Sequence, residues 1–168
     1  LSCSNSYRRQ QPHVYSEQQL GQLVRQAARL SPSYPLRPKT YSTLFGLLAS
    51  TGLRISEALS LRQCDVDLGA GLLRIEHTKF RKSRLVPLHP STTLVLRRYA
   101  DARDSDRTTR TSEWFFVGRH GHRLPRSTVR CTFRRLCNTL GWRRGNGALA
   151  LPPRIHDLRH TFACLRLL

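Results

Sequence analysis

Near the middle of this 168-residue chain, helical periodicity of the apolar side chains gives way to strand alternation. Residues 71–77 and 83–88 read as two strands, and the basic loop 78–82 between them predicts a β-hairpin. Pro87 cannot donate a hydrogen bond to a neighbouring strand, so we expect the second strand to lie at an edge or to end there. Most of the remaining chain has helical spacing. The sequence therefore predicts a mainly α fold with a small antiparallel β-sheet, which is the α+β class.

Capping signals mark the helices around the hairpin. Ser16 and Gln19 have capping-box spacing, and Gly52 is placed to end a helix that begins near Pro38. Residues 101–112 are polar and predict a surface loop. The further predicted elements are a short helix at Ile55–Leu61, a helix after Pro90, a short strand at 114–117, a helix from Ser127 and a last helix that contains 155–163.

The formal net charge of +19 comes from 29 Lys and Arg residues against 10 Asp and Glu residues. So large a surplus of positive charge favours a polyanionic partner, and nucleic acid is the usual one. Nearly all of the surplus is arginine, because the only lysines are Lys39, Lys79 and Lys82. Arginine binds phosphate through two parallel hydrogen bonds, although a GC-rich genome would produce the same bias.

The five cysteines include no C-x-x-C pair and are odd in number, which predicts neither a disulfide framework nor a zinc finger. They favour a reducing cytosol, and we expect a cytoplasmic protein. No apolar stretch is long enough to span a membrane. His120 and His122 are separated by one residue in a turn with no third ligand nearby, so we expect no metal site and no cofactor.

Thr51-Gly-Leu-Arg-Ile-Ser-Glu57 is the first of three segments whose residues suggest chemistry. Gly52 ends one helix, and Arg54 lies at the start of the next, where an arginine can share an anion with free backbone N–H groups. Glu57 follows three residues later and can contact Arg54 along the same helix face. An ordinary capped helix with a surface ion pair explains this segment equally well.

The second segment is the tip of the predicted hairpin, which carries Lys79. Lysine can lose a proton near neutral pH, whereas arginine cannot. Lys79 is therefore a candidate proton donor, and a solvated basic turn is the alternative.

The third segment is His156-Asp-Leu-Arg-His160. His156 and Arg159 are three residues apart, so both side chains are expected on one helical face. An imidazole and a guanidinium together can hold a phosphate and transfer a proton. The alternative is a basic helix that contacts the DNA backbone.

In this order and separation the three segments resemble the tyrosine recombinase, or phage integrase, family. Residues 51–59 resemble its first motif, residues 78–88 its β-hairpin with the catalytic lysine, and residues 156–163 its second motif. The resemblance spans about residues 14–168 and implies the catalytic-domain fold of that family. Residues 1–14 are expected to be a linker or tail, and residues 15–168 a catalytic domain that is incomplete at its C-terminus.

The resemblance implies a role for each matched residue. Arg54 and Arg159 would bind the scissile phosphate and stabilise the charge of the transition state. Lys79 would protonate the leaving 5′-oxygen, His156 would contact the phosphate or accept the proton of the nucleophile, and Glu57 would support Arg54. The arginine pair would take the place of a metal ion. Further candidate DNA contacts are Arg81, Lys82, Arg130, Arg134 and Arg135.

The family's nucleophile is a tyrosine that follows the second motif and forms a 3′-phosphotyrosine intermediate. In this sequence every tyrosine precedes that motif. We therefore expect this polypeptide alone to be unable to cleave DNA. Two other interpretations stay open: a non-catalytic DNA-binding remnant of a recombinase, and a basic RNA-binding protein.

The family implies site-specific recombination or integration of double-stranded DNA, in an integrase, resolvase-like or transposon role. For the full-length protein it also implies a homo-oligomer, as a tetrameric synapse. A recombinase of this kind would work in the cytoplasm, on the bacterial nucleoid.

Overall fold

The computed structural model describes residues 12–76, 83–142 and 152–167. In these ranges the chain is mainly helical with one small antiparallel sheet, as the sequence predicts. The elements are α1 (Glu17–Ala28), α2 (Arg37–Thr51), α3 (Ile55–Leu59), β1 (Val66–Asp67), β2 (Leu72–Ile75), β3 (Arg84–Pro87), α4 (Pro90–Asp104), α5 (Arg126–Thr139) and α6 (Asp157–Leu167). None of the helices in the described ranges has the length and apolar composition that crossing a membrane requires.

The helix α2 lies at the centre of the fold and contacts α1, α4 and α6. Its buried residues lie on most sides of the helix, as expected for a helix surrounded by others. Phe45 packs edge-on against Phe133 of α5, and Thr40 donates a hydrogen bond to the hydroxyl of Tyr99 on α4. Each of these side chains is almost fully removed from solvent. The first half and the middle of α2 are therefore packed against α4 and α5, and its C-terminal end leads into the candidate site.

Two of the predicted caps are confirmed. Ser16 accepts a hydrogen bond from the backbone N–H of Gln19, and the side chain of Gln19 accepts one from the backbone N–H of Ser16. Gly52 ends α2 in the left-handed conformation, with φ of 62°. This conformation costs a residue with a Cβ atom about 1–2 kcal/mol, so glycine is favoured at this position.

The sheet has the order β1-β2-β3, and both pairs are antiparallel. Leu72 pairs with Pro87, and Ile75 pairs with Arg84. The two predicted hairpin strands and the edge position of the second are confirmed, although each strand is shorter than predicted. The two-residue β1 was not predicted, because so short a stretch carries no alternation to detect.

The predicted loop at 101–112 begins too early, since α4 continues to Asp104. Arg103 is 3% exposed, and its guanidinium donates hydrogen bonds to the carbonyl oxygen of Phe115 and to Oε1 of Gln63. These bonds hold the last turn of α4 against the core. The predicted short apolar strand at 114–117 is also wrong: Trp114 and Val117 make only isolated bridges, although residues 115–117 are buried as an apolar segment should be.

Candidate functional site

Arg54 lies in the turn between α2 and α3, two residues after Gly52. Its backbone is extended and forms the N-cap of α3, as the sequence predicts. About half of its side chain is exposed to solvent. The guanidinium is therefore held at a helix start and is available to an anion from outside.

Glu57 joins this turn to the sheet. Its Oε2 accepts a hydrogen bond of 2.8 Å from the backbone N–H of Arg54, and its Oε1 accepts one of 3.1 Å from Nη1 of Arg54. The predicted contact between the two residues is thus confirmed. The same two oxygens also accept bonds of 3.0 and 2.9 Å from Nη1 and Nη2 of Arg84, at the start of β3. Burial by itself raises the pKa of Glu57, but the hydrogen bonds and charges of Arg84 and Arg54 outweigh it and hold the pKa below its ordinary value.

Arg159 of α6 reaches the same turn from the other side. Its Nη1 donates a hydrogen bond of 2.6 Å to the carbonyl oxygen of Gly52. On the same helix, the ring of Phe162 lies against the Cα of Gly52, where a Cβ atom would overlap it. The last helix and the turn that carries Arg54 are therefore in direct contact, so the first and third sequence segments meet in space.

His156 lies in the turn before α6, whereas the sequence predicts a position inside the helix. The backbone N–H groups of Asp157, Leu158 and Arg159 bond to carbonyl oxygens three residues earlier, so the chain makes tight turns before the α-helix begins. Asp157, which is 2% exposed, accepts hydrogen bonds from the backbone N–H and the guanidinium of Arg154. The His156 side chain is exposed. It lines a cavity of about 570 Å³ between α5, the start of α3 and the segment that leads into α6.

Arginines from two elements surround this cavity. Arg126, Arg130 and Arg134 come from one side of α5, and Arg154 comes from the segment before α6. The described residues that line the cavity include no aspartate or glutamate. Arg135 is exposed on α5 but does not line the cavity. The structure thus divides the three candidate DNA contacts of α5: two lie beside His156 and one faces elsewhere.

Tyr15 connects the N-terminal segment to the start of α6. Its backbone N–H donates a hydrogen bond of 2.9 Å to Oγ1 of Thr161, and its hydroxyl donates one of 3.0 Å to the carbonyl oxygen of Arg154. Its ring also packs against Trp142. Tyr15 is 1% exposed, and burial raises its pKa, so the phenol stays protonated and acts as a donor. It therefore fixes the segment that carries His156.

Lys79, Arg81 and Lys82 lie outside the described residues. Among the described residues, no group of three His, Cys, Asp or Glu side chains has an arrangement that could hold a metal ion. His120 has a left-handed backbone, with φ of 59°, and His122 is exposed next to the same short turn.

Sequence reasoning missed Arg84 and Tyr15. Arg84 was recognised only as part of the hairpin, because its partner Glu57 lies 27 positions away. One signal was present in the sequence: the chain has 29 basic residues and only ten acidic ones, so a glutamate such as Glu57 can readily find a second basic partner. Nothing in the sequence indicated the partners of Tyr15.

Comparison with known proteins decides the family. The pattern of the Phage integrase family matches residues 14–167 of this chain. The chain belongs to this family. The tyrosine recombinase resemblance of the three sequence segments is thus confirmed.

Curated members of the family are similar over most of the chain. A putative integrase/recombinase y4rE of Sinorhizobium fredii is 43% identical over 93% of this chain and 49% of its own length. Tyrosine recombinase XerC of Corynebacterium glutamicum is 32% identical over 90% of this chain and 45% of its own length. The chain therefore spans about half the length of the curated relatives that it matches.

Solved recombinase structures have the same fold. A crystal structure of XerA recombinase has a TM-score of 0.75 and 26% identity over 95% of this chain and 52% of its own. A lambda integrase tetramer bound to a Holliday junction has a TM-score of 0.67 and 20% identity over 94% of this chain and 43% of its own. The predicted fold class, mainly α with a small antiparallel sheet in the arrangement of tyrosine recombinase catalytic domains, is confirmed.

Proposed function

We propose that the protein containing this chain catalyses site-specific recombination of double-stranded DNA through a 3′-phosphotyrosine intermediate, without a metal ion. The observation that carries the proposal is the hydrogen bond from Arg159 to the carbonyl oxygen of Gly52. It joins the helix of the second arginine to the turn of the first. Two arginines at one position can bind the non-bridging oxygens of a phosphate and stabilise the additional charge of the transition state.

Within this proposal Arg54 and Arg159 are the phosphate-binding pair, and Glu57 holds Arg54 in place. His156 contacts the phosphate or accepts the proton of the nucleophile. Lys79, in the hairpin segment outside the described residues, protonates the leaving 5′-oxygen. The arginines supply positive charge that a metal ion supplies in other phosphoryl-transfer enzymes.

The remainder of the interface binds DNA backbone. Arg130 and Arg134, beside His156, are proposed phosphate contacts, and Arg135, Arg81 and Lys82 are proposed to bind further along the duplex. The net charge of +19 supports binding of this kind, because nucleic-acid affinity rises with the number of phosphates neutralised.

For the 168 residues by themselves we propose DNA binding without cleavage. Tyr15, Tyr41 and Tyr99 are each 1% exposed and packed in the core, and Tyr34 is partly buried near the start of α2. The remaining tyrosine, Tyr7, lies outside the described residues and before all three motifs. This is the observation that favours the second candidate function, a DNA-binding unit without its own nucleophile.

The proposal also covers the domain organisation, the oligomeric state and the biological setting of the protein. Residues 15–168 would form the catalytic domain and residues 1–14 a linker, which the family match over 14–167 supports. The full-length protein would act as a homo-oligomer, as the tetrameric description of lambda integrase suggests. A mobile element is the proposed setting, and the bacterial cytoplasm, at the nucleoid, the proposed location. A transposon integrase bound to circular intermediate DNA has the same fold.

Duplex binding and covalent chemistry can be tested separately. The purified chain is titrated with a fluorescent DNA duplex at several salt concentrations, and with a structured RNA of equal length. We expect salt-dependent binding with preference for the duplex, and no covalent protein–DNA adduct on denaturing gels. Preference for the RNA would contradict the proposal in favour of a basic RNA-binding protein. An adduct would contradict the absence of a nucleophile.

A further inference from the structure

The Glu57 carboxylate binds one more arginine than the support of Arg54 requires. Each of its oxygens accepts one hydrogen bond from Arg54 and one from Arg84. The Arg84 contact is bidentate, with two parallel bonds from one guanidinium, which is the strongest geometry for such a pair. Arg84 therefore holds both oxygens of Glu57 and fixes the plane of the carboxylate.

The exposed fractions of the three side chains show which of them is most accessible to a phosphate. Glu57 is 11% exposed, Arg84 is 37% exposed and Arg54 is 54% exposed. The carboxylate lies below the surface, and Arg54 lies outermost. If Glu57 had Arg54 as its sole partner, the pair would be neutral and Arg54 would attract a phosphate weakly. With Arg84 added, the cluster carries a net charge of +1, and its most exposed member is Arg54.

We propose that Arg84 is a positioning residue for the phosphate-binding pair: it orients the Glu57 carboxylate and balances its charge, so that Arg54 is held in place yet keeps its attraction for phosphate. This inference rests on the proposed function, because it assigns Arg84 a part in that same site. Arg84 acts through Glu57 and does not itself touch the phosphate.

The neighbouring strand offers a matched control. Arg74 lies on β2, which pairs with β3, and it is 51% exposed. It forms ion pairs with Asp65 and Glu76. Replacing Arg74 by methionine changes the net charge by the same amount as Arg84→Met and alters the same sheet. It leaves the Glu57 cluster intact.

The experiment follows the Nε–Hε resonance of Arg54 by NMR in the wild-type chain and in the variants Arg84→Met, Arg84→Lys and Arg74→Met. Each protein is measured alone and then titrated with inorganic phosphate and with a DNA duplex. The resonance of the free protein reports how Arg54 is held, and the titrations report whether it binds phosphate. Arg54 is assigned through the loss of its peak in Arg54→Lys.

We expect Arg84→Met to move the Arg54 resonance of the free protein and to weaken its phosphate response about fivefold, since an ion pair at a partly exposed site changes affinity by that order. Arg84→Lys keeps the charge but loses the parallel bonds, so its resonance should lie between those of the wild type and Arg84→Met. Because lysine fits the same strand position, this variant keeps the test valid if Arg84→Met does not fold. Arg74→Met should resemble the wild type in both measurements.

Two results would overturn the inference. One is an unchanged Arg54 resonance in both Arg84 variants. The other is an equal loss of phosphate response in Arg84→Met and Arg74→Met, which would show that the loss follows from the change in net charge alone. If the wild-type resonance instead fails to respond to phosphate or duplex, while the Arg84 variants still move it, the proposed function fails and the positioning of Arg54 by Arg84 remains.

Discussion

Arg159 and Gly52 are 107 positions apart in the sequence, and a hydrogen bond of 2.6 Å joins the guanidinium of the first to the carbonyl oxygen of the second. The same glycine has a left-handed backbone and is covered by Phe162. Gly52 therefore ends α2, contacts α6 and precedes Arg54 by two positions. A change at Gly52 should therefore affect both the stability of the fold and the candidate site.

Gly52→Ala tests this junction, and Gly141→Ala is its control. Both glycines have positive φ, 62° and 72°, but none of the described residues has an atom within 4 Å of a Cβ at Gly141. Gly141→Ala should lower the free energy of unfolding by about 1–2 kcal/mol, the cost of the backbone conformation. Gly52→Ala should cost about 1–3 kcal/mol more, because its methyl group overlaps the Phe162 ring. Denaturant unfolding measures both, and equal losses would contradict the close contact with α6.

Glu57→Gln should lower stability in a pH-dependent way. Since the pKa of Glu57 is lowered in the folded state, its stabilisation is fully present above the unfolded pKa, about 4.3, and is lost as pH falls through the folded value. The wild type should therefore exceed Glu57→Gln in free energy of unfolding at pH 7, and the difference should shrink below about pH 4. Urea unfolding across this range measures it. A difference that stays constant down to pH 2 would show that folding does not lower the pKa of Glu57.

The cavity beside α5 predicts that three arginines of this helix differ in how much they contribute to duplex affinity. Arg130→Gln and Arg134→Gln should weaken duplex binding about three- to tenfold, and each should reduce the slope of log affinity against log salt by about 0.9, as expected for one lost phosphate contact. Arg135→Gln, which removes the same charge away from the cavity, should have a smaller effect. Fluorescence anisotropy at several salt concentrations measures all three. Equal effects would contradict the greater role of the arginines that line the cavity.

Cys137 should react slowly with thiol reagents. It is 2% exposed, and burial raises its pKa to about 12. Because the thiolate is the reactive form, labelling by a maleimide at pH 7.5 should be more than about a hundredfold slower than for an exposed cysteine. Cys131, exposed on the same helix, is the internal control. Mass spectrometry of digested, labelled protein gives both rates, and similar rates would mean that α5 is not packed as described.

Local signals account for what the sequence predicted well. The Ser16–Gln19 cap, the end of α2 at Gly52 and the contact of Arg54 with Glu57 each involve residues within a few positions, where backbone geometry decides the outcome. The hairpin strands followed from alternation. The three motifs were identified by their resemblance to the family. In the structure the first motif contacts the second through Glu57 and Arg84, and the third through Gly52 and Arg159.

The features that were missed depend on packing between distant segments. Arg84 reaches Glu57 only because β3 lies beside α3, and Arg103 extends α4 because Phe115 and Gln63 fold back over it. No periodicity within one element contains this information.

The hydrogen bond between Arg159 and Gly52 can form only late in the synthesis of the chain. A ribosome makes the turn that carries Arg54 more than a hundred residues before it makes Arg159, and domains are built from the N-terminus onward at a limited rate. A nascent chain therefore exposes one arginine early and completes the pair only when α6 has left the ribosome and docked. In the proposed site, the arginine pair is therefore complete only after the last described helix has folded onto α2.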